Sequence, residues 1–595
     1  MSYIGSTRFK KLKKLFMIAR AIISRWGWGY FFYIAKLEFK KQKLSILKPD
    51  GKPIPLFYRD SFQSDYEKYL DSIENKIITN LDKTKLNQIK ITFFIFCDVS
   101  QINNLKSTVK SFFEQDFNNW NIVLLIEDND DQIDLKQFQN DNKISILSDF
   151  NNDVILKKIS EFEPNFIGFI NSNVILPSYS LNQFSTFMHN SNDFDIFYCD
   201  HDFIDKNKKQ HKPFFKPDWS LVTFRSFNYL FPLCLIKKTL VEQTLKNNSL
   251  SNCFIFDLLL HCINLSKKIF HIPLPLCSLS TEITFSDNEC KKRALENNLK
   301  ENKIDAKIES GLLPNTFRIH YNLKSQPKVS ILIPTKNNRP ILKRCIDSIE
   351  KNTNYKNIEI IIIDSPVSDI YFDPTLKKYY EQIPHKTVTY NGNFNFSKMN
   401  NLAVKEATGD LLLFLNDDTK ILDDNWLNEM VSILLEDDVG VVGPKLIFDD
   451  DTIQHAGITF LKTGSGFHPF MKLDDDAEGY CNFANIMKEC LAVTGACLLT
   501  KRSIFEQVGQ FDEDFDVYYG DSDLCLKIRR AGYKIIYTPF TKLLHEGSFT
   551  IRSSGASYFA VEAHQRFLER WPELKNGDPF YHPALDWDYS ISKIR

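Results

Sequence analysis

The stretch GDLLLFLNDDTKIL (409–422) sets five apolar residues, Leu411 to Leu415, directly against Asn416, Asp417 and Asp418. Carboxylates at the tip of a buried strand suit a hard divalent cation, which prefers oxygen ligands and keeps several waters. One or two acids are enough when a bound diphosphate supplies part of the shell. The same residues could equally form a solvated Asx turn. Asp364 ends another apolar run, IEIIIIDS (358–365). A lone carboxylate there can accept hydrogen bonds from a base N–H or ribose hydroxyls, or cap a helix. Downstream, FDEDFDVYYGDSDLCLKIRRAGY (511–533) places six acids between Asp512 and Asp523. A helix pattern follows, with Leu524 and Ile528 on one face and Gly532 as its stop. Asp521 falls at that helix start, as an N-cap or as a general base facing a cleft. His545, past the next apolar run, reads as a metal ligand or as a core imidazole.

Residues this far apart can act together only if the fold delivers them to one edge. From residue 90 the chain alternates short apolar runs with helical patterns, the signature of βαβ units and a mainly parallel sheet. It does so twice. The first ladder is ITFFIFCD (91–98), NIVLLIED (121–128), FIGFINSN (166–173) and FDIFYCDHD (194–202). The second is KVSILIPT (328–335), IEIIIIDS (358–365), DLLLFLNDD (410–418) and VGVVGPKLIF (439–448). Helix-period stretches, 104–117 and 341–355, follow the first strand of each. Equivalent positions lie about 240 residues apart, which points to internal duplication. The polar, proline-bearing segment ESGLLPNTFRIHYNLKSQPK (309–328) reads as the junction. In an open α/β sheet ligands bind beyond the carboxyl ends of the strands, where Asp364, Asp418 and the turn Pro334-Thr335-Lys336-Asn337 all fall.

Composition narrows the partners. Lys plus Arg (74) nearly balance Asp plus Glu (75) over 595 residues, so no global field holds nucleic acid. Twelve scattered cysteines, with no CxxC pair and no zinc spacing, imply free thiols in a reducing compartment. The first 48 residues stand apart, with twelve Lys/Arg between Arg8 and Lys48 against one acid, Glu38. Their longest charge-free run, Trp26 to Ala35, is ten residues, half of what a bilayer span needs. Basic residues interleaved with Trp, Tyr and Phe fit a helix lying in an anionic membrane interface, or a basic helix packed on the next domain. The expected organisation is a basic amphipathic helical segment (1–85), a first α/β module (86–310) and a second (325–595).

The second ladder resembles the inverting enzymes of glycosyltransferase family 2, with the GT-A fold, and in particular bacterial two-module rhamnosyl-type transferases of O-antigen and polysaccharide assembly. The resemblance is carried by VSILIPTKNN (329–338), NFNFSKMNNLAVKEATGDLLLFLNDDT (393–419), IQHAG (453–457), VTGACLLTKRSIFEQVGQFDE (493–513) and DSDLCLKIRRAGY (521–533), in that order. It implies two tandem GT-A modules, Rossmann-like, and a divalent cofactor, Mn2+ or Mg2+. Thr335, Asn337, Asp364, Lys398, Asn416 and Asp417 would hold a UDP- or dTDP-linked sugar. Asp418 and His545 would bind the metal, Asp521 would be the catalytic base, and Gly495 and Ala496 would line the acceptor site. Asn416 departs from the Asp often found there. The acceptor implied is a hydroxyl of a glycan or lipid-linked saccharide, and the location is the cytoplasmic face of the inner membrane.

The first ladder also resembles a module of this family through QHKPFFKPDWS (210–220) and KKIFHIPLPL (267–276). Its strand tip, however, reads Asn171-Ser172-Asn173, whose neutral oxygens are poor ligands for a hard dication. Asp257 falls near the expected base position without an acidic loop before it, and Asp128 could still hold a nucleotide base. The module is expected to be non-catalytic. Two rival readings stand beside the transferase. A sugar nucleotidyltransferase would need a glycine-rich phosphate loop, which PTKNNRP (334–340) lacks. A membrane-docked scaffold would have no reason to keep Asp418, Asp521 and His545 together.

Overall fold

The computed structural model describes residues 60–79, 89–97, 102–126, 138, 141–148, 150–191, 193–266, 268–280, 288–335, 339–364, 385–547 and 561–586. The basic segment 8–48, with its membrane reading, lies outside them, as do Asp128 and Asn337. None of the described helices is long and apolar enough to cross a membrane.

The first sheet is built from β1 (Ile91–Cys97), β2 (Trp120–Ile126), β3 (Ile144–Leu147), β4 (Phe166–Asn171), β5 (Val174–Ile175), β6 (Ile196–Ile204), β7 (Gln210–Phe214), β8 (Cys234–Lys237) and β9 (Ile269–Leu279). A hairpin, β10 (Ala306–Ser310) with β11 (Phe317–Tyr321), occupies the junction. The second sheet uses β12 (Val329–Thr335), β13 (Ile358–Asp364), β14 (Lys386–Thr389), β15 (Leu411–Leu415), β16 (Thr419–Ile421), β17 (Val439–Ile447) and β18 (Ile453–His455). After a short ribbon, β19 (Thr459–Phe460) with β20 (Gly466–Phe467), come β21 (Lys488–Cys490), β22 (Cys497–Lys501) and β23 (Lys534–His545).

The two sheets have one topology. The first runs β3-β2-β1-β4-β8-β6-β9-β5, and the second β14-β13-β12-β15-β22-β17-β23-β16. Strand for strand these correspond, so the duplication read from spacing holds at the level of fold. In both, a strand antiparallel to its two neighbours, β8 or β22, lies between parallel ladders in the middle of the sheet, and the end strand, β5 or β16, is antiparallel as well. The apolar runs become central strands because both faces are covered: β12, β15 and β17 are buried along their whole length. Runs hydrophobic on both faces are what a two-sided parallel sheet requires.

The helix Asp60–Thr79 seats Tyr66, Tyr69, Leu70 and Ile73 in the core of the first module. Its Tyr66 hydroxyl donates to Asp202 Oδ2 at 2.5 Å. The expectation that all twelve cysteines are free needs one correction, because Cys253 and Cys290 form a disulfide. Two helices, Phe254–Leu265 and Asn288–Glu301, bring the pair together from 37 residues apart, a proximity that sequence spacing does not encode. The other ten remain free thiols.

Candidate active site

The second-ladder strand tips Thr335, Asp364 and Asn416–Asp418 lie at one edge of the second sheet. β12 and β13 end in register, Thr335 opposite Asp364. The Thr335 hydroxyl crosses to Asp417, donating to Oδ2 at 2.6 Å. Asp418 follows, and the chain turns at once into β16, whose Thr419 pairs with His545 at the end of β23. That register puts His545 Nε2 at 2.9 Å from Asp418 Oδ1 and at 3.3 Å from Asn416 Nδ2. The backbone N–H of Glu546 donates to Asp418 O at 3.1 Å, tying the two strands past the site.

Asp521 joins from another direction. It is the second residue of the helix Gly520–Arg530, whose N-cap is Tyr519 and not Asp521 itself. Its Oδ2 accepts the Gly495 N–H at 2.8 Å, and its Oδ1 accepts the Ser522 N–H at 2.7 Å. One residue along the same turn, Ala496 O accepts the Asn416 N–H at 3.0 Å. The turn Thr494–Ala496 therefore links the Asp521 carboxylate to the Asn416–Asp418 loop. A side chain at Gly495 would start 3.1 Å from the Phe396 ring and 3.4 Å from Asp521 Cβ, so glycine lets the turn lie against the acid.

The neighbouring acids are pushed apart in proton affinity. Burial, helped by the charge of Asp418, raises Asp417 to about 7 despite the Thr335 hydroxyl. Burial would raise Asp418 too, but the His545 imidazole outweighs it and holds Asp418 below the ordinary carboxylate value. Asp521 is raised by burial, with the Gly495 and Ser522 N–H groups pulling the other way. The result is an anionic ligand beside an imidazole, plus a more basic carboxylate on the adjoining turn. Such splitting marks sites of chemistry more often than bare structure.

Lys398 does not join the group. It is exposed in the first turn of the helix Phe396–Glu406 and has no polar contact to these residues among the described ones. The sequence reading gave no role to Gln454, in the IQHAG stretch. Its amide meets both His545 Nδ1 and the His545 carbonyl. A lone amide on a strand of three residues carries no signal in a sequence.

The first module lacks this equipment. By strand order β5 matches β16 and β9 matches β23, and Val174 pairs with Leu279 where Thr419 pairs with His545. Leu279 thus stands where the imidazole would be, and Asn173 where Asp418 would be. Asp257 sits in the first turn of its helix and accepts the Ser251 N–H at 2.7 Å, closing the preceding loop.

A second group of donors, Asp200, His271 and His582, is buried where the modules meet. His582 Nδ1 accepts the Ala584 N–H at 3.0 Å, and its Nε2 lies 2.8 Å from Asp200 Oδ2. His271 Nε2 lies 2.9 Å from Asp200 Oδ1, so the three side chains form one buried carboxylate–imidazole cluster across the border.

Residues 330–509 match the family model described as glycosyl transferase family 2. The match falls within the second module, and the first module repeats that module's sheet topology. The chain is 30% identical over 446 residues to the O-antigen biosynthesis protein RfbC of Myxococcus xanthus, covering 71% of this chain and 34% of that protein. It is 31% identical over 419 residues to an uncharacterised protein, y4gI, of Sinorhizobium fredii, covering 66% of this chain and 45% of the other. The rhamnosyltransferase WbbL of Escherichia coli is 24% identical over 267 residues, 42% of this chain and 95% of its own length. The chain therefore spans less than half the length of the first two relatives.

Proposed function

We propose that the second module (325–595) is an inverting, metal-dependent glycosyltransferase that moves a sugar from a nucleotide-linked donor to a hydroxyl of a growing cell-surface glycan. The observation that carries this is the pairing of Asp418 with His545 on a loop that the Thr494–Ala496 turn ties to the Asp521 carboxylate. Asp418 Oδ1 and His545 Nε2 fit a divalent ion that takes its remaining ligands from diphosphate oxygens and water. When bound, Mn2+ or Mg2+ would neutralise charge growing on the diphosphate leaving group. Thr335, Asn337 and Asp364 would hold the nucleotide, and Gly495 and Ala496 would floor the acceptor site.

Asp521 would accept the proton of the acceptor hydroxyl as that oxygen attacks the anomeric carbon from the face opposite the leaving group. Its half-buried carboxylate, raised in pKa, is a better base than a solvated one. The tests are Asp521→Asn and a pH profile. Transfer should fall by about 10² to 10⁴, the worth of positioned acid–base help, while donor binding stays near wild type. Because the base must be ionised, wild-type turnover should fall as pH drops through a midpoint above the ordinary carboxylate range. Near-normal turnover of Asp521→Asn would remove the residue from this role.

The relatives named for O-antigen synthesis and rhamnosyl transfer support a rhamnosyl-type donor and a lipid-linked or polysaccharide acceptor for this chain as well. The first module would act as a non-catalytic partner, since Asn173 and Leu279 replace its metal ligands. Segment 8–48 would dock the enzyme peripherally on the anionic inner face of the cytoplasmic membrane.

A further inference from the structure

His545 has two ring nitrogens, and only Nε2 faces Asp418. Which of them carries the proton follows from a neighbour. Gln454 lies on β18, which pairs with β17 so that Leu446 opposes His455 and Ile447 opposes Ile453. This register sets the Gln454 side chain against the end of β23. Its Nε2 donates to the backbone carbonyl of His545 at 3.2 Å. A carbonyl only accepts, so that end of the amide is the NH₂. The other end, Oε1, then faces His545 Nδ1, and an amide oxygen only accepts. Nδ1 must therefore carry a hydrogen. On a neutral ring, which has one N–H, Nε2 then keeps its lone pair toward Asp418 Oδ1 at 2.9 Å, with the Asn416 Nδ2 donor at 3.3 Å. That lone pair and the Asp418 carboxylate are the two donors a cation would take; without the cation a proton on Nε2 joins the same two atoms, and Nδ1 keeps its hydrogen in both states.

We propose that Gln454 is a positioning residue for the metal site, fixing the tautomer and ring orientation of His545. This rests on the reading of Asp418 and His545 as metal ligands. Metal-bound histidines commonly donate their second N–H to an outer acceptor, and loss of that partner typically weakens metal binding by about 10- to 100-fold. An amide does this without adding negative charge beside Asp417 and Asp418, where a diphosphate must also be received. The backbone makes room for it. Gly547 has φ +66°, and a Cβ there would lie 2.5 Å from Gln454 Nε2, so the chain leaving His545 turns with a glycine where the amide packs.

The full-length protein tests this with Mn2+ alone, by titration followed by EPR. Gln454→Leu should raise the Mn2+ Kd by about 10- to 100-fold, and excess Mn2+ should restore its kcat. Gln454→Glu still offers an oxygen to Nδ1–H and should keep wild-type affinity or better. In 15N-edited NMR of the imidazoles, the Nδ1–H tautomer of His545 should persist in Gln454→Glu and disappear in Gln454→Leu. Wild-type affinity and an unchanged tautomer in Gln454→Leu would overturn the assignment of Gln454 while leaving the metal site standing. Equal Mn2+ binding by wild type and His545→Ala would overturn the metal site itself, and this proposal with it.

Discussion

Asp417 and Asp418 are adjacent in sequence yet placed in opposite electrostatic surroundings. Asp417 turns to a hydroxyl and is raised to about 7. Asp418 turns to an imidazole and is held down. Sequence could locate the pair, because a five-residue apolar run must end where its backbone meets solvent. It could not divide the labour, since the alternation of side chains across the strand tip depends on the turn into β16. The division predicts different outcomes for the same chemical change. Asp418→Asn should weaken Mn2+ binding by more than about 100-fold, beyond the loss typical of an outer partner. Asp417→Asn, replacing an acid that is about half protonated near neutral pH and accepts from Thr335, should weaken it far less. Mn2+ titration of both purified variants decides the matter, and equal losses would show that both carboxylates hold the ion.

At the next scale the helix Gly520–Arg530 must present Asp521 at a fixed height. Its first turn starts from Tyr519, a non-glycine residue at φ +66°. That conformation costs of order 1–3 kcal/mol and persists only when surroundings over-determine it. They do so here. The Tyr519 ring stacks on Phe567 at 4.6 Å, and its hydroxyl meets His564 Nδ1 at 2.9 Å. Both partners lie on the helix Val561–Arg570. Two residues past Asp521, the fully buried Asp523 accepts from Trp571 Nε1 at 3.0 Å and from Arg570 Nη1 at 3.1 Å. Asp523→Ala should cost about 3 kcal/mol, through an orphaned indole N–H and a lost charged hydrogen bond, as read by denaturant unfolding. Turnover should fall further than Mn2+ affinity does. The helix-start position marks Asp521 in the sequence, but the anchoring part of Asp523 is hidden there, because the helix that meets it arrives about 40 residues later. The antiparallel strands β8 and β22 were equally hidden. Apolar periodicity reports a strand but not its direction.

At the scale of the whole molecule the two modules share one border. The Tyr480 hydroxyl donates to Pro213 O at 2.8 Å and accepts from Phe215 N at 3.1 Å. Asp218 N donates to Pro579 O at 2.7 Å, and Glu489 N donates to Thr223 Oγ1 at 3.2 Å. At its centre lies Asp200, fully buried, between His271 of its own module at 2.9 Å and His582 of the other at 2.8 Å. The residues leading to His582 continue directly from Trp571, which holds the helix of Asp521. The first module thus has a structural claim on the second. Burial works against charge on both Asp200 and His271, but their pairing prevails, lowering Asp200 and raising His271. Asp200 contributes stability that is present above its unfolded value of about 4 and lost as pH falls through its depressed folded value. His271 contributes stability that is full below about 6.5 and lost as pH rises through its raised folded value. Asp200→Asn removes the buried carboxylate that His271 faces, leaving it only the exposed Asp218 carboxylate at 3.1 Å, and should cost about 3–5 kcal/mol at pH 6. It should also flatten the alkaline decline of unfolding free energy that His271 imposes on the wild type, because the larger of its two charged partners is gone. Chemical denaturation of both proteins between pH 5 and pH 9 reads the two effects separately. Parallel curves would mean that the carboxylate and the imidazole are not coupled across the border.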